Sequence, residues 1–472
     1  MDAEIISFQY FKHSPHIMAH TAANEAHVSL DEGATWRPLT LPDAPATPIS
    51  DVLAILRNPY FEGYAVIVTM GHVHYITADE GRSAKAIHVP DSPHAEARAA
   101  FAFHPEQPEW MLYSARSESC PSQLAGPGGC PAKAYISRDL GDTWDELMAM
   151  VGPTGCNFMR TDKLLTRHPR SVVCQVPREH GDRVDRSENP YDIVVVEDVF
   201  HRNPKVLLEG ALDFGTIDKY LIMTRSTNNE KHLQMFITED GEQVAVAHFP
   251  GEKHHTDPAY TLLPPSKSGG VLMLHVTKSL VPSQEWGAIY ASNSNGTYFR
   301  LSLENVNRDE QGQVDFERIE SLEGAALANV VANAGDLEAS RRTREARKRY
   351  LSARSADKQL RTVMTMDNGA SWHYLNPPSR DSEGRRYPCR SSAPSDGSCA
   401  LHLHGYTELF DPVNIYSGSG APGVLIGMGN VGSYLGSMRN ASTFLSRDGG
   451  HVWTEIQKGA YWHEIGDHGV IL

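Results

Sequence analysis

One eight-residue pattern occurs four times in this chain: Ser29-Leu-Asp31-Glu-Gly33-Ala-Thr35-Trp36, Ser137-Arg-Asp139-Leu-Gly141-Asp-Thr143-Trp144, Thr365-Met-Asp367-Asn-Gly369-Ala-Ser371-Trp372 and Ser446-Arg-Asp448-Gly-Gly450-His-Val452-Trp453. Weaker copies without the aromatic stand at Thr77-Ala-Asp79-Glu-Gly81 and Thr238-Glu-Asp240-Gly241. This is the Asp-box, a β-hairpin turn. The Asp carboxylate bonds backbone N–H groups across the turn, Gly takes a positive φ, and Trp wedges between neighbouring sheets. Asp31, Asp139, Asp367 and Asp448 are therefore structural and not catalytic.

The boxes recur with a drifting period near ~50 residues, and short β-branched and aromatic runs such as Tyr64–Thr69, Ile193–Val196 and Val271–Val276 lie between them. A four-stranded sheet of that size cannot bury both of its own faces, so the repeats must stack to make a core. The expectation is an all-β chain, a β-propeller with about eight recognisable blades running through residues 1–472. One stretch is biased: Arg341–Arg361 is basic and helix-prone, and the segment 336–360 reads as an insertion between blades. Its Lys348-Arg349 pair is also a possible dibasic cleavage site.

A net charge of −15 and a pI near 5.8 disfavour nucleic acid, which needs a concentrated basic face. The six cysteines fall into sequence-local pairs, Cys120/Cys130, Cys156/Cys174 and Cys389/Cys399. Six cysteines allow fifteen pairings, but this clustering favours the three local disulfides over metal binding, whose CxxC spacing is absent. Disulfides point to an oxidising lumen. The triplets at Asn295-Gly-Thr297 and Asn440-Ala-Ser442 are glycosylation acceptors that fit the same address. Against this, Met1–Phe8 lacks a basic region followed by an apolar one, and no apolar run reaches about 18 residues. A disulfide-bearing chain without an export signal or membrane span reads as a fragment, an incomplete gene model, or a non-functional truncated paralogue.

Beyond the boxes, several stretches resemble the sortilin family of vacuolar sorting receptors, especially its fungal members. They are Asn295–Asn305, Val314-Asp-Phe-Glu-Arg-Ile-Glu-Ser-Leu-Glu-Gly324 with Ala328-Asn329, Leu360–Gly369, Cys399-Ala-Leu-His-Leu-His-Gly-Tyr-Thr-Glu408, Ile426–Gly432 and His463–Gly469. The resemblance implies a ten-bladed propeller followed by a cysteine-rich module, a membrane span and a cytosolic tail. This chain shows about eight blades and none of the later parts, so membrane attachment would come only through a missing C-terminal anchor. The implied partners are soluble vacuolar hydrolases or peptide cargo, carried from late Golgi to prevacuolar endosome on the lumenal side. Family ligands add along a strand edge, and the nearest match to that edge is Tyr298, Phe299 and Arg300. Tyr298 and Phe299 would give apolar contact, and Arg300 would take a peptide carboxylate.

No cofactor or metal is expected. His402 and His404 alternate along a strand, yet no third ligand accompanies them, and His72/His74 and His254-His255 read as edge or loop residues. Because histidine titrates across the Golgi-to-endosome range, some of the 23 histidines are expected to weaken ligand binding as pH falls toward 5. The rival class is an Asp-box glycoside hydrolase. No sialidase arginine run precedes the first box, no GxSxG, HExxH or phosphate-cradling loop occurs, and paired carboxylates roughly 5–9 Å apart are invisible in sequence. The chain is read as a non-enzyme.

Overall fold

A turn that folds the chain back on itself must join two antiparallel strands, and every box does so between the third and fourth strands of a sheet. The computed structural model describes residues 4–11, 14–42, 44–93, 100–116, 132–159, 169–180, 183–184, 191–200, 203–227, 232–251, 260–265, 269–319, 322–347, 357–389, 397–409 and 421–461. The chain is all-β and of β-propeller class, and it divides into two compact units. The first comprises Met1–Glu230 with Gln234–Val246, and the second Lys231–Leu233 with Ala247–Leu472.

The first unit is built from four-stranded antiparallel sheets in simple up-and-down order, such as Val52–Arg57, Ala65–Thr69, Val73–Thr77 and Lys85–His88. In the second unit, Tyr260–Leu262, Met273–Val281, Gln284–Ser292 and Phe299–Asn307 form one blade. Phe316–Arg318, Ala326–Val331, Leu360–Thr365 and His373–Tyr374 form the next, and Ala400–Leu403, Leu425–Gly432, Ser442–Ser446 and Thr454–Lys458 the last. The first two of these share one continuous sheet through a single pairing, Val306 with Val330. Among the described residues the chain holds eight blades.

Burial follows from stacking. Middle strands are covered on both faces, as in Ile17–Thr21, Ala65–Thr69 and Gln284–Ser292, whereas fourth strands such as Arg37–Pro38 and Thr454–Lys458 are largely exposed. Because strand side chains alternate faces, one strand feeds two cores. Ala65 and Ile67 pack with the preceding blade through Met18 and Val28, and Val66 and Val68 pack with the following blade through Met111 and Tyr113. Of the basic stretch Arg341–Arg361, residues up to Arg347 belong to an α-helix, Ala334–Arg347, whose Ala334 and Leu337 rest on Trp286 and Val331, while Leu360–Arg361 already belong to a strand. The helix joins Ala326–Val331 to Leu360–Thr365, so the insertion expected between blades lies between two strands of one blade.

The boxes share one hydrogen-bond scheme. In the first, the Ser29 hydroxyl donates to Asp31 at 2.8 Å and accepts from Gly33 N at 2.7 Å, and Asp31 accepts from Thr35 N at 2.8 Å and from the Thr35 hydroxyl at 2.6 Å. These donors hold the Asp31 carboxyl below the usual carboxylate range, and at Asp367 the Ser371 hydroxyl and amide hold it to about 2. Two successive residues are left-handed, not glycine alone: Glu32 (φ 57°) with Gly33 (85°), and Leu140 (57°) with Gly141 (83°). The glycine has a second reason to be there, since a Cβ on Gly141 would lie 2.8 Å from Ile87 of the preceding blade. Val452 stands where the other three full boxes have a hydroxyl, so in the last box that position gives Asp448 only its backbone N–H, at 2.9 Å, beside the Ser446 hydroxyl at 2.9 Å.

Candidate ligand-binding site

The first strand of a blade has one neighbour, and where two such edges face each other they leave a cleft. In the second unit this happens between Tyr260–Leu262 and Phe316–Arg318. Among the described residues the first pairs only with Met273–Val281 and the second only with Ala326–Val331. The cleft has a volume of about 420 Å³, within the range of pockets that hold small ligands or short peptides. Its walls are apolar, from Leu262, Leu263, Pro264 and Pro265 on one side and Val314, Phe316, Ile319 and Leu322 on the other, with Tyr406 and the carboxylates of Glu317 and Glu323 completing the lining.

Arg318 is the cation of this cleft. Its Nε donates to the Pro264 carbonyl at 3.0 Å, its Nη1 to Asn368 Oδ1 at 2.8 Å, and its guanidinium lies 5.7 Å from the centre of the Phe316 ring. Nη2 is buried and has no hydrogen-bond partner among the described residues. Burial lowers the Arg318 pKa and Glu323 opposes that shift, but a guanidinium keeps its charge in any case. A fixed cation with a spare donor beside an apolar wall suits a carboxylate on an extended chain.

The sequence-derived edge residues lie elsewhere, at the start of the fourth strand of the blade: Tyr298 just precedes it, and Phe299 and Arg300 open it. Phe299 is buried and stacks on Phe249, ring centres 4.4 Å apart. Arg300 is exposed and donates to the Gly369 carbonyl at 3.2 Å. Tyr298 is 62% exposed and stacks on His248 at 5.0 Å. The backbone here is already engaged by a single-residue bridge. His248 N donates to Thr297 O at 2.7 Å and Phe299 N to His248 O at 2.9 Å, in a parallel bridge. The cleft residues escaped sequence reading because Phe316–Arg318 is three residues long, too short to show an alternation.

Cys156 and Cys174 are disulfide-bonded directly across a strand pair, and Cys389 is bonded to Cys399. Cys120, Cys130, His254-His255, Lys348-Arg349 and His463–Gly469 lie outside the described residues. Asn295 and Asn440 are both exposed. Asn295 occupies the turn before the strand Phe299–Asn307, and its Oδ1 accepts from the Thr297 hydroxyl at 2.6 Å.

The histidines require a correction. His74 and His402 are fully buried, and each accepts a backbone N–H on Nδ1, from Thr69 and Thr362 respectively, at 3.1 Å. Burial pulls both down to about 4. They stay neutral at pH 5, so neither senses the Golgi-to-endosome interval through its own charge. Among the described residues no three His, Cys, Asp or Glu side chains converge as a metal site, and no helix is long and apolar enough to cross a membrane.

The sortilin–Vps10 family model, described as sortilin, neurotensin receptor 3, matches residues 24–472. The "Vacuolar protein sorting/targeting protein 10" of Laccaria bicolor is 33% identical over 477 residues, covering 99% of this chain and 30% of that protein. Its namesake in Paracoccidioides brasiliensis is 34% identical over 456 residues, covering 96% and 28%. The chain thus spans less than a third of the curated relatives it matches. Among solved structures, a GH74 xyloglucanase from Xanthomonas campestris covers 96% of the chain at 10% identity and a TM-score of 0.27, a likeness too distant to bear on activity.

Proposed function

This chain belongs to the sortilin–Vps10 family, and from that membership we propose that it is the ligand-binding propeller of a vacuolar sorting receptor. It takes soluble hydrolases or their peptides on the lumenal side of Golgi and late-endosome membranes. The observation that supports this reading is the cleft around Arg318. Each of its two first-strand edges has a single strand neighbour among the described residues, and apolar walls flank them. An extended peptide rises about 3.3 Å per residue, so edges of this length engage roughly three to five residues by strand addition. Arg318 then receives a carboxylate, from a side chain or a chain end. Tyr298 remains a second contact surface, since its ring is exposed beside His248. The two disulfides and the exposed Asn295 and Asn440 acceptors fit a glycoprotein of an oxidising lumen.

The test is a fluorescence-polarisation screen of labelled decapeptides tiled across soluble vacuolar hydrolases. Binders should carry apolar residues at alternate positions, and Phe316→Glu or Arg318→Ala should weaken them about tenfold or more, as loss of a desolvated anchor does. Binders that ignore both substitutions yet fail with Tyr298→Ala would move the site to the fourth strand. A complete tiling without binders would remove the peptide reading.

A further inference from the structure

Five of the six boxes are braced on a second turn of their own blade. The residue between Asp and Gly donates its backbone N–H to a carbonyl in the turn that joins the first two strands. Glu32 donates to Pro15 at 3.0 Å, Glu80 to Gly63 at 3.0 Å, Leu140 to Glu109 at 3.1 Å, Asn368 to Gly324 at 3.0 Å and Gly449 to Gly423 at 2.9 Å. All five are left-handed, with φ of 57°, 63°, 57°, 55° and 73°. The brace sets the backbone at this position beside the first strand of the blade, but it does not dictate the side chain. Glu, Leu, Asn and Gly all occupy it.

In the box at 365–372 that side chain reaches the cleft's cation. Gly324 lines the cleft and follows the strand that ends at Arg318. A Cβ on Gly324 would lie 3.1 Å from Met366 O and 3.4 Å from Asn368 Nδ2, so glycine lets the two turns approach this closely. On its other side the box is fixed to the preceding blade. Gly369 O accepts from the Ser302 hydroxyl at 2.6 Å and from Arg300 Nη1 at 3.2 Å, and Trp372 Nε1 donates to Ser302 Oγ at 3.1 Å. The Asn368 carboxamide therefore stands on backbone held from both sides, and its Oδ1 accepts from Arg318 Nη1 at 2.8 Å.

A guanidinium has five N–H donors. Here Nε is spent on Pro264 O and one N–H of Nη1 on Asn368. The first bond closes the Nε–Nη2 side to a carboxylate. What remains is the Nη1–Nη2 end, and Nη2 has no partner among the described residues. The chemistry of the holder also matters. A Glu here, as at Glu32 of the first box, would pair with the guanidinium and cancel its charge. A neutral carboxamide sets the angle and leaves the charge for a ligand.

We propose that Asn368 is a positioning residue for the cleft: its carboxamide, braced through Gly324 and Ser302, fixes the Arg318 guanidinium so that a carboxylate is taken end-on, across Nη1 and Nη2. This rests on the reading of the cleft as the cargo site.

The experiment is arginine labelling with phenylglyoxal, read residue by residue by mass spectrometry on the full chain, which needs no cargo. Asn368→Gly removes the carboxamide and keeps the turn, since Gly449 holds the same position in the last box. Arg318 should then react about fivefold or more faster, with Arg300 and Arg361 unchanged. Asn368→Asp restores an acceptor and should return Arg318 to the native rate or below it. An Arg318 rate that does not change in Asn368→Gly overturns the proposal. So does a rise shared by Arg300 and Arg361, which would mean that the blade had merely loosened. In a second arm, N-acetylvaline should protect native Arg318 about threefold better than N-acetylvalinamide, and the preference should vanish in Asn368→Gly. A preference that survives in that variant also overturns the proposal. If neither compound protects while the labelling difference stands, the positioning role is upheld and the carboxylate reading of the cleft fails alone.

Discussion

Burial decides what each ionisable residue can report. His74 and His402 sit in the same arrangement in different units, a buried ring accepting a backbone N–H on Nδ1, and both are pulled to about 4. The unfolded chain protonates its histidines near 6.5, so stability from these neutral rings is fully present above that value. It is lost as pH falls through the interval from 6.5 to about 4. His402→Asn keeps an acceptor for Thr362 N and removes the titration. It should flatten the pH dependence of the urea midpoint across that interval, with a ceiling of roughly 3 kcal/mol for one ring. An unchanged slope would mean His402 is protonated inside the fold.

At the scale of the element, the Asp-box repeats its hydrogen bonds faithfully while its tryptophan varies in depth. Trp453 is 2% exposed, donates to Gly450 O at 2.9 Å, and packs with Leu327, Met364, Leu425 and Phe444 in the core between the last two blades. Trp36 is only half-buried. Trp453→Ala should cost about 3–5 kcal/mol, and Trp36→Ala well under half of that, read as urea midpoints at constant slope. Equal losses would show that the box tryptophan acts through its turn and not through the core. These boxes were legible in sequence because each is contiguous and its chemistry is local. Blade number followed, since only stacked sheets bury both faces. The cleft was not legible. Its two edges, near 261 and 317, meet only through tertiary packing. Behind Val314 and Phe316, buried hydrogen bonds join Asp315 to Asn307, Asn329 and Thr407, and Asn329 to Thr362, and no spacing rule connects those positions. The stretches that carried the family resemblance, Val314–Gly324, Ala328-Asn329 and Cys399–Glu408, supply most of them. The resemblance therefore marked the residues without saying that they touch.

For the whole molecule, charge sets how a ligand arrives and the cleft sets how it stays. The chain carries 58 acidic against 43 Lys and Arg residues, a net −15, and a field of that sign accelerates cationic partners without favouring any one pose. The cleft itself is mixed, with Arg318 among Glu317 and Glu323, so long-range attraction and close recognition need not share a sign. A cleft-binding decapeptide extended by two N-terminal lysines should associate several-fold faster than its parent at low salt. The advantage should vanish near 0.5 M salt, where the Debye length drops to roughly 4 Å. Dissociation of the two peptides should stay equal, because the added lysines lie outside the walled segment. Stopped-flow rates across a salt series separate the contributions. If the lysines instead slow dissociation and salt leaves association unchanged, Glu317 and Glu323 are direct contacts, and the acidic body is a bystander to binding.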